Sequence, residues 1–125
     1  MREKGNGMIQ SYKDLQVYER SYRMAVKMYE MVRRFPQEEL YGLTSQIKRA
    51  ATSIPLNIAE GYGKKASAAE FKRFLLMAVG SSNEMNVLLE LSKDLGYAEK
   101  RDCEESQKEY EEIGKMLNKL ISIWQ

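Results

Sequence analysis

The stretch from Phe35 to Lys65, FPQEELYGLTSQIKRAATSIPLNIAEGYGKK, most constrains the fold, because it keeps helical order straight through a proline. Leu43, Ile47, Ala50, Ile54 and Ile58 recur at three- and four-residue steps on both sides of Pro55, the pattern of a single apolar helix face. Proline in a helix interior removes a backbone hydrogen bond and crowds the preceding turn, at a cost of roughly 3 kcal/mol. A chain that accepts this cost without losing its apolar period predicts one helix kinked at Pro55, not two. Beside the apolar face runs a second line at the same spacing, Gln46, Arg49, Ser53, Asn57 and Glu60. It forms a continuous polar stripe.

Three further segments carry helical apolar patterns. In the first, over about 14–34, Leu15, Tyr18, Tyr22, Ala25, Tyr29 and Val32 alternate steps of three and four, the seam of a left-handed bundle. Asp14 is placed to cap it, and Pro36 biases Phe35 away from helix and ends it. A neighbouring line on this segment, Val17, Met24, Met28, Met31 and Phe35, widens the apolar arc beyond one seam. Self-association buries such a line at an oligomer interface; a broad intramolecular core face buries it equally well. Glycines 61 and 63 are expected to stop the second helix in a left-handed cap. Ser67-Ala-Ala-Glu70 is a capping-box signature that opens the third helix, whose seam runs Phe71, Phe74, Ala78, Ser81, Met85, Leu88, Ser92 and Leu95. Gly80 within it suggests close approach of another backbone, since glycine there costs roughly 1 kcal/mol relative to alanine. The fourth helix, about 99–124, has Tyr110, Ile113, Leu117, Leu120 and Trp124 on its seam and no Ser, Thr or Asp at its start. Short connections make consecutive helices antiparallel. The expectation is an all-α, antiparallel up-and-down four-helix bundle: a flexible tail over 1–11 and one domain over 12–125.

YGLTSQIKRAATSIPLNIAEG, with the following SAAEFKRFLLMAVGSSNEM at 67–85, resembles the four-helix-bundle family encoded in 23S rRNA intervening sequences. That family is in turn similar to the accessory variability determinant proteins of diversity-generating retroelements. The resemblance runs from Tyr12-Lys13-Asp14-Leu15 to Ile113-Gly114-Lys115-Met116-Leu117. It implies a four-helix bundle assembled as a homopentamer. For the retroelement members it further implies a basic partner of a reverse transcriptase and of nucleic acid.

Composition narrows the chemistry. The 125 residues include no His and a single Cys103, so the commonest general base near neutral pH and any intrachain disulfide are both missing. Neither a Cys/His metal spacing nor a glycine-rich phosphate loop can be assembled, and no cofactor, metal or catalytic residue is expected. A lone Glu60 beside Asn57 lacks the second carboxylate, nucleophile or metal that catalysis needs. The polar stripe is therefore expected to be structural, bonding across helices to Glu70, Arg73 or Glu84 and serving backbone groups freed at Pro55. No apolar run is long enough to span a membrane, Met1–Met8 lacks the apolar centre of a signal peptide, and a reducing cytoplasm is the expected compartment.

The net charge of +2 conceals an asymmetry. Through Gly80 there are 14 Lys/Arg against 8 Asp/Glu, and beyond it 6 against 10. Lys48, Arg49, Lys64, Lys65, Lys72 and Arg73 are the candidate contacts to nucleic acid; solvated cations that keep a bundle soluble are the plainer alternative. Nothing in the sequence marks an aromatic RNA-reading platform or a groove-reading helix. The reading is a non-enzymatic homo-oligomer that binds RNA or DNA, RNA foremost, through distributed cations without reading sequence. Its alternative is a scaffold that docks a reverse transcriptase.

Overall fold

The computed structural model describes residues 8–124. Four helices carry the fold: α1 (Gln16–Val32), α2 (Leu43–Tyr62), α3 (Ala68–Asp94) and α4 (Lys100–Ile123), with short 3₁₀ turns at Tyr12–Asp14 and Gln37–Glu39. The helices form an antiparallel up-and-down bundle. Each packs against its neighbour in sequence, α1 closes more lightly on α4, and α1 and α3 stand at opposite corners.

The apolar lines of three helices enter the core as their spacing dictates. Leu43, Ile47, Ala50, Ile54 and Ile58 of α2 are all buried, as are Tyr110, Ile113, Leu117 and Leu120 of α4. On α3 the seam from Phe71 to Ser92 is buried, and Leu95, just past the helix, is exposed. In α1 the core arc takes members of both candidate lines: Val17, Ala25 and Val32 face inward with Met24 and Met28, whereas Tyr22 and Tyr29 are exposed.

The helix ends explain the connections. Ser11 caps the first 3₁₀ turn, and Asp14 Oδ2 accepts from the backbone N–H groups of Gln10 and Ser11. Asp14 thus closes this turn and does not cap α1, whose N-cap is Leu15 with no side-chain bond. Of the expected tail, residues 1–7 lie outside the described residues, while residues 8–11 lead into the capped turn. At the start of α2, Glu39 Oε1 accepts from the Leu43 N–H at 3.1 Å and Glu39 Oε2 accepts from the Tyr97 hydroxyl at 2.9 Å. One carboxylate therefore caps α2 and fastens the α3–α4 connection to it, and its bond raises the Tyr97 phenol above its ordinary pKa.

Helix α2 runs unbroken through buried Pro55. It also runs through Gly61, whose place in the fold is set by close approach to α3: a Cβ there would lie 2.7 Å from Phe74 Cβ. Gly63 caps α2 in the right-handed conformation, at φ −63°. The left-handed cap occurs at the end of α3 instead. There Gly96 has φ +75°, the Gly96 N–H donates to Lys93 O, and the Tyr97 N–H donates to Ser92 O, the paired bonds of a Schellman motif. Ser67 caps α3 by accepting from the Glu70 N–H, but the Glu70 carboxylate turns to Arg73, so the capping box is half made.

Candidate nucleic-acid interface

Antiparallel packing brings the C-terminal end of α2, the start of α3 and the end of α4 together, with Trp124 edge-on to both Phe71 and Tyr62. Around this apolar plug stand Lys64, Lys65, Lys72 and Arg73. The exposed Lys64 and Lys65 rest over the rings of Phe74 and Tyr62, at 5.2 and 4.0 Å from the centroids. Lys72, half-buried, makes no ion pair among the described residues. Arg73 differs from the three lysines. It donates to both Glu70 carboxylate oxygens while its guanidinium lies 4.6 Å from the centre of the Phe74 ring. The bond to Arg73 holds the Glu70 carboxyl below its usual range and raises Arg73 in return. Arg73 is thus paired with Glu70, whereas none of the three lysines forms an ion pair among the described residues.

Lys48 and Arg49 stand away from this cluster. Arg49 forms an ion pair with Glu84 of α3. Lys48 faces α1, its ammonium 5.1 Å from the centroid of the Tyr29 ring. The six candidate cations therefore divide into a cluster at the α2–α3 turn, one interhelical ion pair, and one cation on the α1–α2 flank. The sequence placed all six on the correct elements; the packing sends Lys48 and Arg49 to different neighbours.

The polar stripe resolves into a seam between α2 and α3. Ser53 Oγ lies 2.8 Å from Ser81 Oγ, and the Asn57 amide donates to Ser53 O and Ser53 Oγ at 2.8 and 3.0 Å. With Arg49 and Glu84 this makes two polar links one turn apart. Ser81, read from sequence as part of the apolar seam, is the partner that spacing alone missed. Asn57 serves the Ser53 carbonyl, not the Ala51 carbonyl, whose i+4 donor is missing at Pro55. Gln46 and Glu60 are exposed and belong to neither link. Of the three partners expected on α3, Glu84 takes Arg49, while Glu70 and Arg73 bond to each other.

The line read as an oligomer interface does not lie on the surface. Val17, Met24, Met28 and Phe35 are buried in the chain's own core, and Met31 is partly buried against it. Helix α1 instead turns Tyr22, Val26 and Tyr29 outward. The reason is rotational: adjacent lines on a helix differ by one residue step, and the positions of α2 and α4 decide which part of a wide apolar arc is covered. On the opposite corner, α3 exposes Leu76, Val87 and Leu91, with Gly80 among them. A Cβ added at Gly80 would meet nothing within 4 Å, so the expected close approach does not occur within the chain.

A family model described as 23S rRNA-intervening sequence protein matches residues 13–119, nearly the whole bundle. The chain belongs to that family. The matched span takes in all of α1, α2 and α3 and most of α4, so family membership and the four-helix fold rest on the same residues. No curated protein matches the chain. Among the described residues of this family member, no helix is long and apolar enough to cross a membrane, and no group of three His, Cys, Asp or Glu could hold a metal ion.

Proposed function

We propose that this member of the 23S rRNA-intervening sequence family is a non-enzymatic, homo-oligomeric bundle that binds nucleic acid, RNA foremost, in the cytoplasm. The reading is carried by Lys64, Lys65 and Lys72, three cations around one turn without an ion-pair partner among the described residues. Such a group attracts phosphate without reading base sequence, and repetition around an oligomer would turn a weak patch into a strong one. A family named for sequences that intervene in 23S rRNA supports RNA as the polyanion. Outward Tyr22 and Val26 on one corner, with Leu76, Val87 and Leu91 on the opposite one, support self-assembly, with a pentamer as the expected size.

The test is charge reversal. Lys64→Glu, Lys65→Glu and Lys72→Glu together should abolish retention of single-stranded RNA while leaving helicity and light-scattering mass unchanged. Wild-type affinity should fall linearly in log salt. Lys100→Glu and Lys108→Glu on α4 form the matched control and should change little. No RNA or DNA binding by the wild type at low salt would refute the reading. The exposed α3 face would then favour the second one, a scaffold that docks a protein partner such as a reverse transcriptase.

A further inference from the structure

At the end opposite the lysine cluster a cleft lies on each flank of α1, and the two linings differ in charge. The cleft between α1 and the α3–α4 connection, about 450 Å³, combines Lys27 and Arg34 with Glu30, Glu99 and Asp102. Its cations already face carboxylates. The cleft between α1 and the start of α2, about 430 Å³, is lined by Arg33 and Lys48 and by no carboxylate. Neither Arg33 nor Lys48 has an ion-pair partner among the described residues.

The floor of this second cleft is apolar. Val32 and Phe35 are buried beneath it, and Leu40 and Tyr29 form its half-open walls. Thr44, 5 % exposed, also lines it, and its hydroxyl bonds to none of the described residues. A polar group that enters the cleft is a candidate partner for this hydroxyl. The ammonium of Lys48 lies over one face of the Tyr29 ring, so an anion that binds it arrives at the rim of that ring. An anion drawn to Lys48 therefore brings whatever is attached to it beside the Tyr29 ring and against an apolar floor.

We propose that this cleft binds one nucleotide unit of a single-stranded nucleic acid, its phosphate held by Arg33 and Lys48 and its base set against Tyr29 and the Leu40 wall. Both halves of the ligand are specified. Inorganic phosphate satisfies the cations and leaves the floor wet; a nucleoside covers the floor and leaves the cations unanswered. The volume lies within the range of small-molecule pockets, and stacking of a base on an aromatic side chain is tolerant of base identity. The inference rests on the nucleic-acid reading above and adds a second contact, at the far end of the bundle from Lys64, Lys65 and Lys72.

Titration of the full-length ¹⁵N-labelled protein with adenosine 5′-monophosphate tests it. The amide signals of Tyr29, Arg33, Thr44 and Lys48 should move together, and inorganic phosphate or adenosine alone should bind at least about tenfold more weakly. Arg33→Glu with Lys48→Glu should remove the response, and Thr44→Val should weaken it severalfold with helicity intact. The same charge reversal should also weaken binding of a short oligoribonucleotide.

Adenosine monophosphate shifts confined to residues 64–73 would overturn the cleft and leave the nucleic-acid reading standing. So would undiminished oligonucleotide binding in the Arg33/Lys48 double variant. Absence of oligonucleotide binding by the wild type at low salt removes both. Occupation of the cleft by an acidic, leucine-containing peptide, with no response to the nucleotide, overturns the proposal in favour of a protein ligand.

Discussion

Replacing Gly61 by alanine tests the packing that joins α2 to α3 beside the lysine cluster. The added Cβ would sit 2.7 Å from Phe74 Cβ, 3.1 Å from Phe71 Cδ1 and 3.4 Å from Phe71 O. None of these atoms is the free end of a flexible chain: Phe74 Cβ is fixed to the α3 backbone, and the Phe71 ring is held edge-on by Trp124. Relief requires the two helices to separate, and overpacking of this kind costs about 1–3 kcal/mol. Alanine in place of helical glycine returns about 1 kcal/mol of intrinsic propensity. With the anchored contact placing the clash in the upper half of its range, the net loss should be about 1–2 kcal/mol. Gly80→Ala is the internal reference. It lies in a helix interior with nothing of its own chain within 4 Å of the new Cβ, and should stabilise the fold of the chain itself by about 1 kcal/mol. Urea unfolding followed by circular dichroism, at one fixed protein concentration, reads both variants. For a slope of about 2 kcal/mol per molar, their midpoints should separate by about 1 M or more. A Gly61→Ala protein as stable as Gly80→Ala would show that α2 and α3 do not approach so closely, and the account of this glycine would be wrong.

Three other outcomes are expected. Tyr110 is wholly buried, its hydroxyl finds no partner among the described residues, and burial raises its phenol far above the ordinary value; because the folded pKa exceeds the unfolded one, the neutral ring's stabilising contribution is intact below about pH 10 and lost progressively above it. Tyr110→Phe should therefore raise stability by about 1 kcal/mol near neutral pH and blunt alkaline unfolding, read by urea midpoints across pH. Ser53→Ala strands the Ser81 hydroxyl, 9 % exposed, and should cost about 1 kcal/mol, with most of the loss recovered when Ser81→Ala is added. Arg20 spans α1 to α4 through two bonds to the Glu109 carboxylate, at 2.6 and 2.8 Å, on a partly exposed seam; a double-mutant cycle with Arg20→Ala and Glu109→Ala should give a coupling of about 1 kcal/mol or less that shrinks with added salt.

Four helices, their order and most of their inward faces are legible in the sequence, because apolar spacing is a local property of each segment. The sequence carried α2 through Pro55 on the same ground: Ile54 and Ile58 fall in phase with Ile47, and burying that face outweighs one lost backbone bond. It also named the lysines of the α2–α3 turn, since they cluster in the chain before they cluster in space. Relations between helices, in contrast, emerge only from packing. Both apolar lines of α1 were legible, but the rotation that buries Met28 and exposes Tyr22 depends on where α2 and α4 lie. Close approach was assigned to Gly80 and a cap to Gly61, and packing gave the close approach to Gly61, because a glycine's spacing does not say which helix will press on it. The bond between Ser53 and Ser81, and the meeting of Arg33, Thr44 and Lys48 around one cleft, join residues from different elements. Periodicity fixes the face a side chain occupies, and only the packed bundle fixes what that face meets.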